Sequence, residues 1–192
     1  MNVEIKKVTD ENSFYLDKLP EGSEIEKLSN ELKQFLISDV ENLQIFLFKL
    51  FNNCYRFVFE NTEPIFSPKI EINLIYQTEL YQKIEKEKEK NATVREPAKG
   101  KATAFHVGNN FKGQIFVNVD RLLSILLEHG YPTIILNFVM TYFHEILHCC
   151  YLNLRTEQEI FDIECSLVEK YLGIQLPEER KKLKSKDYYR KK

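Results

Sequence analysis

The chain has 192 residues, with 27 basic and 29 acidic side chains, a formal net charge of -2 and a hydrophobic share of 43%. That length holds one domain with a substantial core and does not demand two, and the composition is that of an ordinary soluble globule. The near-neutral balance excludes a protein whose whole surface is built for nucleic acid.

Residues up to Gly22 carry little periodic signal and are expected to be irregular. Ser23-Glu24-Ile25-Glu26 has the form of a capping box, because Ser23 and Glu26 can each satisfy a free amide at a helix start. Leu28, Leu32, Phe35 and Leu36 then recur at helical spacing. Ser38-Asp39-Val40-Glu41 repeats the capping signature ahead of Leu43, Phe46, Leu47, Leu50, Phe51, Cys54 and Phe57-Val58. Two successive helices are predicted, the second ending before Pro64, with their apolar stripes turned to a core.

After a connector at 64–68, residues 69–76 alternate apolar and polar and predict a strand with one buried face. Residues 77–101 contain Glu85-Lys86-Glu87-Lys88-Glu89-Lys90 and read as a solvated, charged insertion. A second strand is expected at 102–107, a turn at Gly108-Asn109-Asn110 and a third strand at 113–119. Asp120 is the expected cap of a helix bearing Leu122, Leu123, Ile125, Leu126 and Leu127, which Gly130 ends and Pro132 separates from the next.

That next helix, from about 132 to 151, carries Tyr142-Phe143-His144-Glu145-Ile146-Leu147-His148. Between 131 and 154 the chain is free of charge apart from Glu145, a length that suffices to cross a bilayer. No second spanning candidate and no basic flank accompany it, and the central helix of a soluble core is also apolar on all sides. No membrane partner is expected. Thr156-Glu157-Gln158-Glu159 forms a further capping box, opening a helix with Ile160, Ile163, Leu167, Val168 and Tyr171 that ends near Gly173. The tail at 177–192 is strongly basic (Arg180, Lys181, Lys182, Lys184, Lys186, Arg190, Lys191, Lys192) and is expected to be mobile, with a weak, non-specific nucleic-acid contact as the minority alternative.

The predicted whole is a single α+β domain over 1–176. It has helices at 23–60 and a sheet and His-bearing part at 69–173, interrupted by the charged insertion at 77–101. The sheet is expected to be small and mostly antiparallel, with about three strands, and the His-bearing helix to pack on the C-terminal helix that follows it. Cys54, Cys149, Cys150 and Cys165 show no CxxC or framework spacing. The chain opens on the charged Met1-Asn2-Val3-Glu4-Ile5-Lys6, so these cysteines are read as small, reduced, buried residues of a cytoplasmic protein.

The chemistry is concentrated in His144-Glu145-Ile146-Leu147-His148. On a helix, His144 and His148 lie one turn apart on one face, so their imidazoles can converge on one metal ion. Glu145 stands beside them, within reach of a water on that ion. Two neutral nitrogen ligands, an open position for water and a carboxylate to take the proton are what a zinc hydrolase requires. Two histidines on a buried helix, each satisfied by ordinary hydrogen bonds, would present the same spacing.

A catalytic zinc site needs a third protein ligand, and no histidine follows His148. His106 falls at a strand edge and His129 near a helix C-terminus, where its charge is favoured. On the last helix Glu164 falls in the middle of the face defined by Ile160, Ile163, Leu167 and Val168, where a carboxylate is costly unless paired or coordinated. Glu159 fits the cap, Glu157 sits in the first turn, and Asp162 and Glu169 lie toward solvent. Glu164 is the expected ligand and Glu159 the reserve.

These residues resemble those of the zincin metallopeptidases. The likeness is to the gluzincin type, whose third ligand is a glutamate on the helix after HExxH, and to small phage and microbial members of the ImmA/IrrE kind. The resemblance covers 113–173: a strand, a helix, His144 to His148, then Ile160 and Ile163-Glu164. It implies one Zn2+ held by His144, His148 and Glu164, Glu145 as general base, a peptide or protein substrate, and the strand at 115–119 edging the cleft to pair with an extended peptide. The ExxA(D/N) pattern that many gluzincins show after the second histidine is absent. A protein whose metal only ties two helices together, or a nucleic-acid-associated protease using the basic tail, stands as the alternative.

Overall fold

The computed structural model of the chain describes residues 5–7, 14–16, 21–38, 40–90, 104–108, 112–151 and 154–176. Ten elements follow one another: β1 (Ile5–Lys7), β2 (Phe14–Leu16), α1 (Glu24–Ser38), α2 (Val40–Asn61), β3 (Lys69–Ile75), α3 (Gln77–Lys90), β4 (Ala104–Gly108), β5 (Lys112–Asn118), α4 (Val119–Tyr151) and α5 (Glu157–Leu172). The architecture is mixed and mostly helical.

Local chemistry accounts for most boundaries. Ser23 Oγ accepts the Glu26 amide at 3.3 Å, so α1 starts where expected, but the Glu26 carboxylate takes the Gly22 amide at 2.6 Å and not that of Ser23, so the return bond of the box lands one residue early. Asn118, not Asp120, caps α4: its Oδ1 accepts the Arg121 amide at 3.2 Å, while Asp120 reaches across to the Gln77 amide at 2.8 Å. Gly130 takes φ 80, a left-handed value that excludes most side chains, and divides α4 into two limbs just before Pro132. At the far end of α4 the Cys150 carbonyl, left over by the helix, accepts the Phe66 amide at 3.0 Å. The connector after α2 is thereby fastened to the end of the His-bearing limb. The side chains of the second capping signature, the turn at 109–111, the second part of the insertion (91–103) and the basic tail lie outside the described residues.

The sheet differs from expectation. Its order is β3-β5-β4, with β5 parallel to β3 over seven residue pairs and antiparallel to β4 over five, so the sheet is mixed and not mostly antiparallel. A parallel pair needs a long crossover, and the insertion supplies it. That insertion is no purely solvated stretch: α3 buries Leu80 and Ile84 against Ile75 and Phe116 on one sheet face. The other face, with Ile115 and Val117 fully buried and Ile70, Ile72 and Leu74 beside them, packs into the main core. The N-terminal segment also departs from the irregular course expected, because β1 and β2 form an antiparallel pair. The described strands are therefore five, in two sheets.

The main core joins Ile25, Leu28 and Leu32 of α1, Phe46 to Val58 of α2, the inner sheet face, both sides of α4 and the apolar face of α5. The stretch Leu127–Tyr151 is long and apolar enough to cross a bilayer, and 78% of its most apolar window is buried within the fold. It passes between α2, α5 and the sheet, which accounts for an apolar surface on every side. All four cysteines are free and buried.

One contact holds the helix at a fixed height on the sheet. A Cβ added at Gly113 on β5 would meet Cys149 Sγ at 2.9 Å, and Cys149 directly follows His148. Gly113→Ala is expected to lower stability by about 1–3 kcal/mol. In a Cys149→Ala background the same substitution is expected to cost less, and urea midpoints of the four proteins give the coupling; additive effects would show that strand and helix do not meet there.

Candidate metal centre

Helix α4 presents His144 and His148 on one face, with ring centroids 4.6 Å apart. Their Nε2 atoms face one another at 3.1 Å. Helix α5 returns alongside and contributes two carboxylates to this pair. Glu157, in its first turn, brings Oε2 to 3.3 Å from His148 Nε2 and 4.0 Å from His144 Nε2. Glu164, two turns later and only 2% exposed, accepts from the opposite side of the His144 ring, with Oε2 3.0 Å from Nδ1.

The two carboxylates therefore occupy different places. Among the described residues, one atom each of His144, His148 and Glu157 lies within 4.8 Å of the other two, an arrangement that can hold a metal ion. Two zinc bonds of about 2.05 Å meeting at the tetrahedral angle place their outer atoms roughly 3.3 Å apart. Two of the three separations match that value and the third is wider. Glu164 was expected at this point and stands instead behind His144. Glu159, the reserve, is absent from it: its carboxylate takes the Thr156 amide at 2.7 Å and the Thr156 hydroxyl at 2.9 Å, completing the capping box that starts α5. Glu145 is buried, and its charge is felt at His144, Glu157 and Cys149.

Helical phase held a signal for Glu157 that the first-turn argument passed over. Residues 157 and 164 are seven apart, two turns, and so share the stripe that carries Ile160 and Phe161. A long side chain at the mouth of the hairpin can then swing over the second histidine while the deeper one meets the first. His129 lies at the end of the first limb of α4 with Glu128 at 3.5 Å. His106 is placed on β4 opposite Ile115, and its side chain lies outside the described residues.

The electrostatics follow from this packing. Burial alone would lower the His144 pKa, but the hydrogen bond to Glu164 and the charges of Glu164, Glu145 and Glu157 outweigh it and carry the group from 6.5 up to about 9. Burial works to raise Glu157, and the hydrogen bond and charge of His148, with the charge of His144, bring it below the ordinary carboxylate value. The thiols move the other way, since burial pushes Cys150 up to about 12 and Cys149 higher still, so neither is a thiolate at neutral pH.

No family model, curated protein or solved structure matches the chain.

A histidine whose folded pKa is raised stabilises the fold fully below its unfolded value of 6.5 and loses that contribution as pH climbs toward 9. Glu157 works oppositely, its contribution being present above the ordinary carboxylate range and lost as pH falls. In protein stripped of metal by a chelator, the stability difference between wild type and Glu164→Gln is expected to be larger at about pH 6 than at about pH 9.5, by up to a few kcal/mol. Urea unfolding at the two pH values measures it, and a difference that grows with pH would reject the His144–Glu164 pair as its source.

Proposed function

We propose that the chain is a zinc-dependent metallopeptidase with a zincin-like plan, hydrolysing peptide bonds at the cluster between α4 and α5. The observation that carries this is the convergence of His144 Nε2, His148 Nε2 and Glu157 Oε2 on one point, in an HExxH sequence whose Glu145 follows the first histidine and acts electrostatically on His144 and Glu157. In this proposal the third-ligand role passes from Glu164 to Glu157. Glu164 supports it from behind: a ligating histidine usually gives its other N–H to a carboxylate, which fixes the tautomer and the ring. The donor set of two imidazoles and one carboxylate suits zinc and leaves a fourth position open.

A zinc ion held there would polarise the substrate carbonyl and lower the pKa of a water to about 7. The rest falls to the chain's own residues. Glu145 accepts a proton from the attacking water and returns it to the leaving amine, a role worth about two to four powers of ten in rate. The neutral form of His144 is required for ligation, so loading the cation at neutral pH must displace the proton that Glu164, Glu145 and Glu157 hold on the ring. Strand β5 is not available to a substrate, because both its sides are already paired. An extended peptide that adds to the sheet must use the outer side of β3 or β4.

The alternative of a purely structural metal keeps one supporting observation, since the same three residues join α4 to α5 and would tie them without any chemistry. Elemental analysis and peptide hydrolysis separate the cases. Glu157→Ala is expected to lose zinc and Glu159→Ala to keep it, while Glu164→Gln keeps the stoichiometry but weakens affinity by about ten- to a hundredfold. Glu145→Gln is expected to retain zinc and lose hydrolysis by a factor of at least about a hundred. Full zinc in Glu157→Ala, or full activity in Glu145→Gln, would overturn the corresponding assignment.

A further inference from the structure

Tyr151 follows His148 by three residues on α4, which places it one turn along the same side of the helix. Its ring is 1% exposed, and its hydroxyl donates to the Glu63 carbonyl at 3.1 Å, so the ring is fixed. The guanidinium of Arg155 stands over this ring, 4.5 Å from its centroid. Two residues beyond Arg155, Glu157 reaches the histidine pair. The turn that starts α5 thus carries a cation two residues from a prospective ligand.

Arg155 is held in place with one donor unsatisfied and only a loose ion pair to Glu159. Its Nε is buried and has no hydrogen-bond partner. Glu159 Oε1 lies 3.8 Å from its Nη1, beyond hydrogen-bond reach, and the other oxygen of that carboxylate is committed to Thr156. A guanidinium carries five donors in one plane, a fork that matches a carboxylate and loses little freedom when already stacked. A carboxylate entering the site would otherwise meet the negative charge of Glu145 and Glu157.

The geometry points to Arg155 as the specificity-determining residue, the group that takes a carboxylate of the bound peptide beside the cluster. The substrates it favours carry either an acidic side chain or a free C-terminus near the cleaved bond. This rests on the metallopeptidase proposal, and it adds the chemical class of the substrate.

The test uses the full-length protein loaded with zinc, in a Glu145→Gln background that keeps peptides intact, with zinc content measured on every sample. Two pairs of N-acetylated pentapeptides are titrated by calorimetry. One pair has glutamate or glutamine at its centre with an amidated end, and the other a free or amidated C-terminus on a neutral sequence. In at least one pair the carboxylate peptide is expected to bind about tenfold or more tightly, and which pair it is identifies the source of the carboxylate. Arg155→Gln is expected to erase the difference with zinc unchanged, and Arg155→Glu to turn the preference toward a lysine-centred peptide, which loss of packing on Tyr151 cannot do. Absence of binding, equal affinities within both pairs, or a preference that survives Arg155→Gln overturns the assignment. If the protein holds no zinc, the metallopeptidase proposal fails while the carboxylate preference and its dependence on Arg155 still decide the role of that residue.

Discussion

A carboxylate 2% exposed to solvent on an apolar helix face is costly unless it is hydrogen-bonded, and Glu164 meets His144 Nδ1 at 3.0 Å. The geometry of the cluster follows from this bond. An imidazole has two nitrogens on opposite sides, so committing Nδ1 to α5 turns Nε2 outward, toward His148 and Glu157. Removing one partner of such a pair takes away a charge-assisted hydrogen bond, at a cost of about 1.5–3 kcal/mol. The pair therefore belongs to the folding of the α4–α5 hairpin as much as to its chemistry.

The surrounding fold keeps that ring where the bond needs it. The His-bearing limb of α4 is clamped by α2, α5 and the inner sheet face, with Tyr142, Phe143, Ile146 and Leu147 fully buried around the histidines. Its height on the sheet is set where Gly113 lets Cys149 come close, and its end is tied through Cys150 to the connector after α2. The start of α5 is fixed by the reciprocal bonds of Thr156 and Glu159, which set the helical phase that carries both Glu157 and Glu164 to their places.

Much of this was legible in the residues themselves. The HExxH spacing, the helix start at Ser23, the capping box at Thr156, the break at Gly130 and the buried phase of Glu164 all depend on neighbours within a turn or two, and the structure has those elements where the spacing put them. What was not legible depends on partners far along the chain. Strand alternation at 69–76 and 113–119 says which faces are buried and nothing of direction, so the parallel pairing of β3 with β5 was missed. The run of lysines and glutamates at 85–90 hid Leu80 and Ile84, whose burial exists only once Phe116 lies opposite. Glu157 and Glu164 share one stripe, and sequence cannot tell which oxygen will find Nε2 and which Nδ1. That choice is made by the reach of each side chain from its own level in the hairpin.

The central position of β5 has a consequence for how a substrate would be read. In a cleft edged by its neighbouring strand, main-chain bonds give affinity and side-chain pockets give selectivity. Here the strand leading into α4 spends both its edges inside the sheet, and among the described residues the connector and first turn of α5 offer partly exposed or exposed side chains at or close in sequence to Glu157, which reaches the histidines. These are Arg155, Thr156 and Glu157, two charged groups of opposite sign around a capping residue, each partly exposed or exposed. For the peptidase proposed above, affinity for a peptide would then come from the outer side of β3 or β4, while the choice among peptides would be made by charge at the mouth of the α4–α5 hairpin. Two separate surfaces doing these two jobs can change independently, which a single edge strand that supplies both cannot.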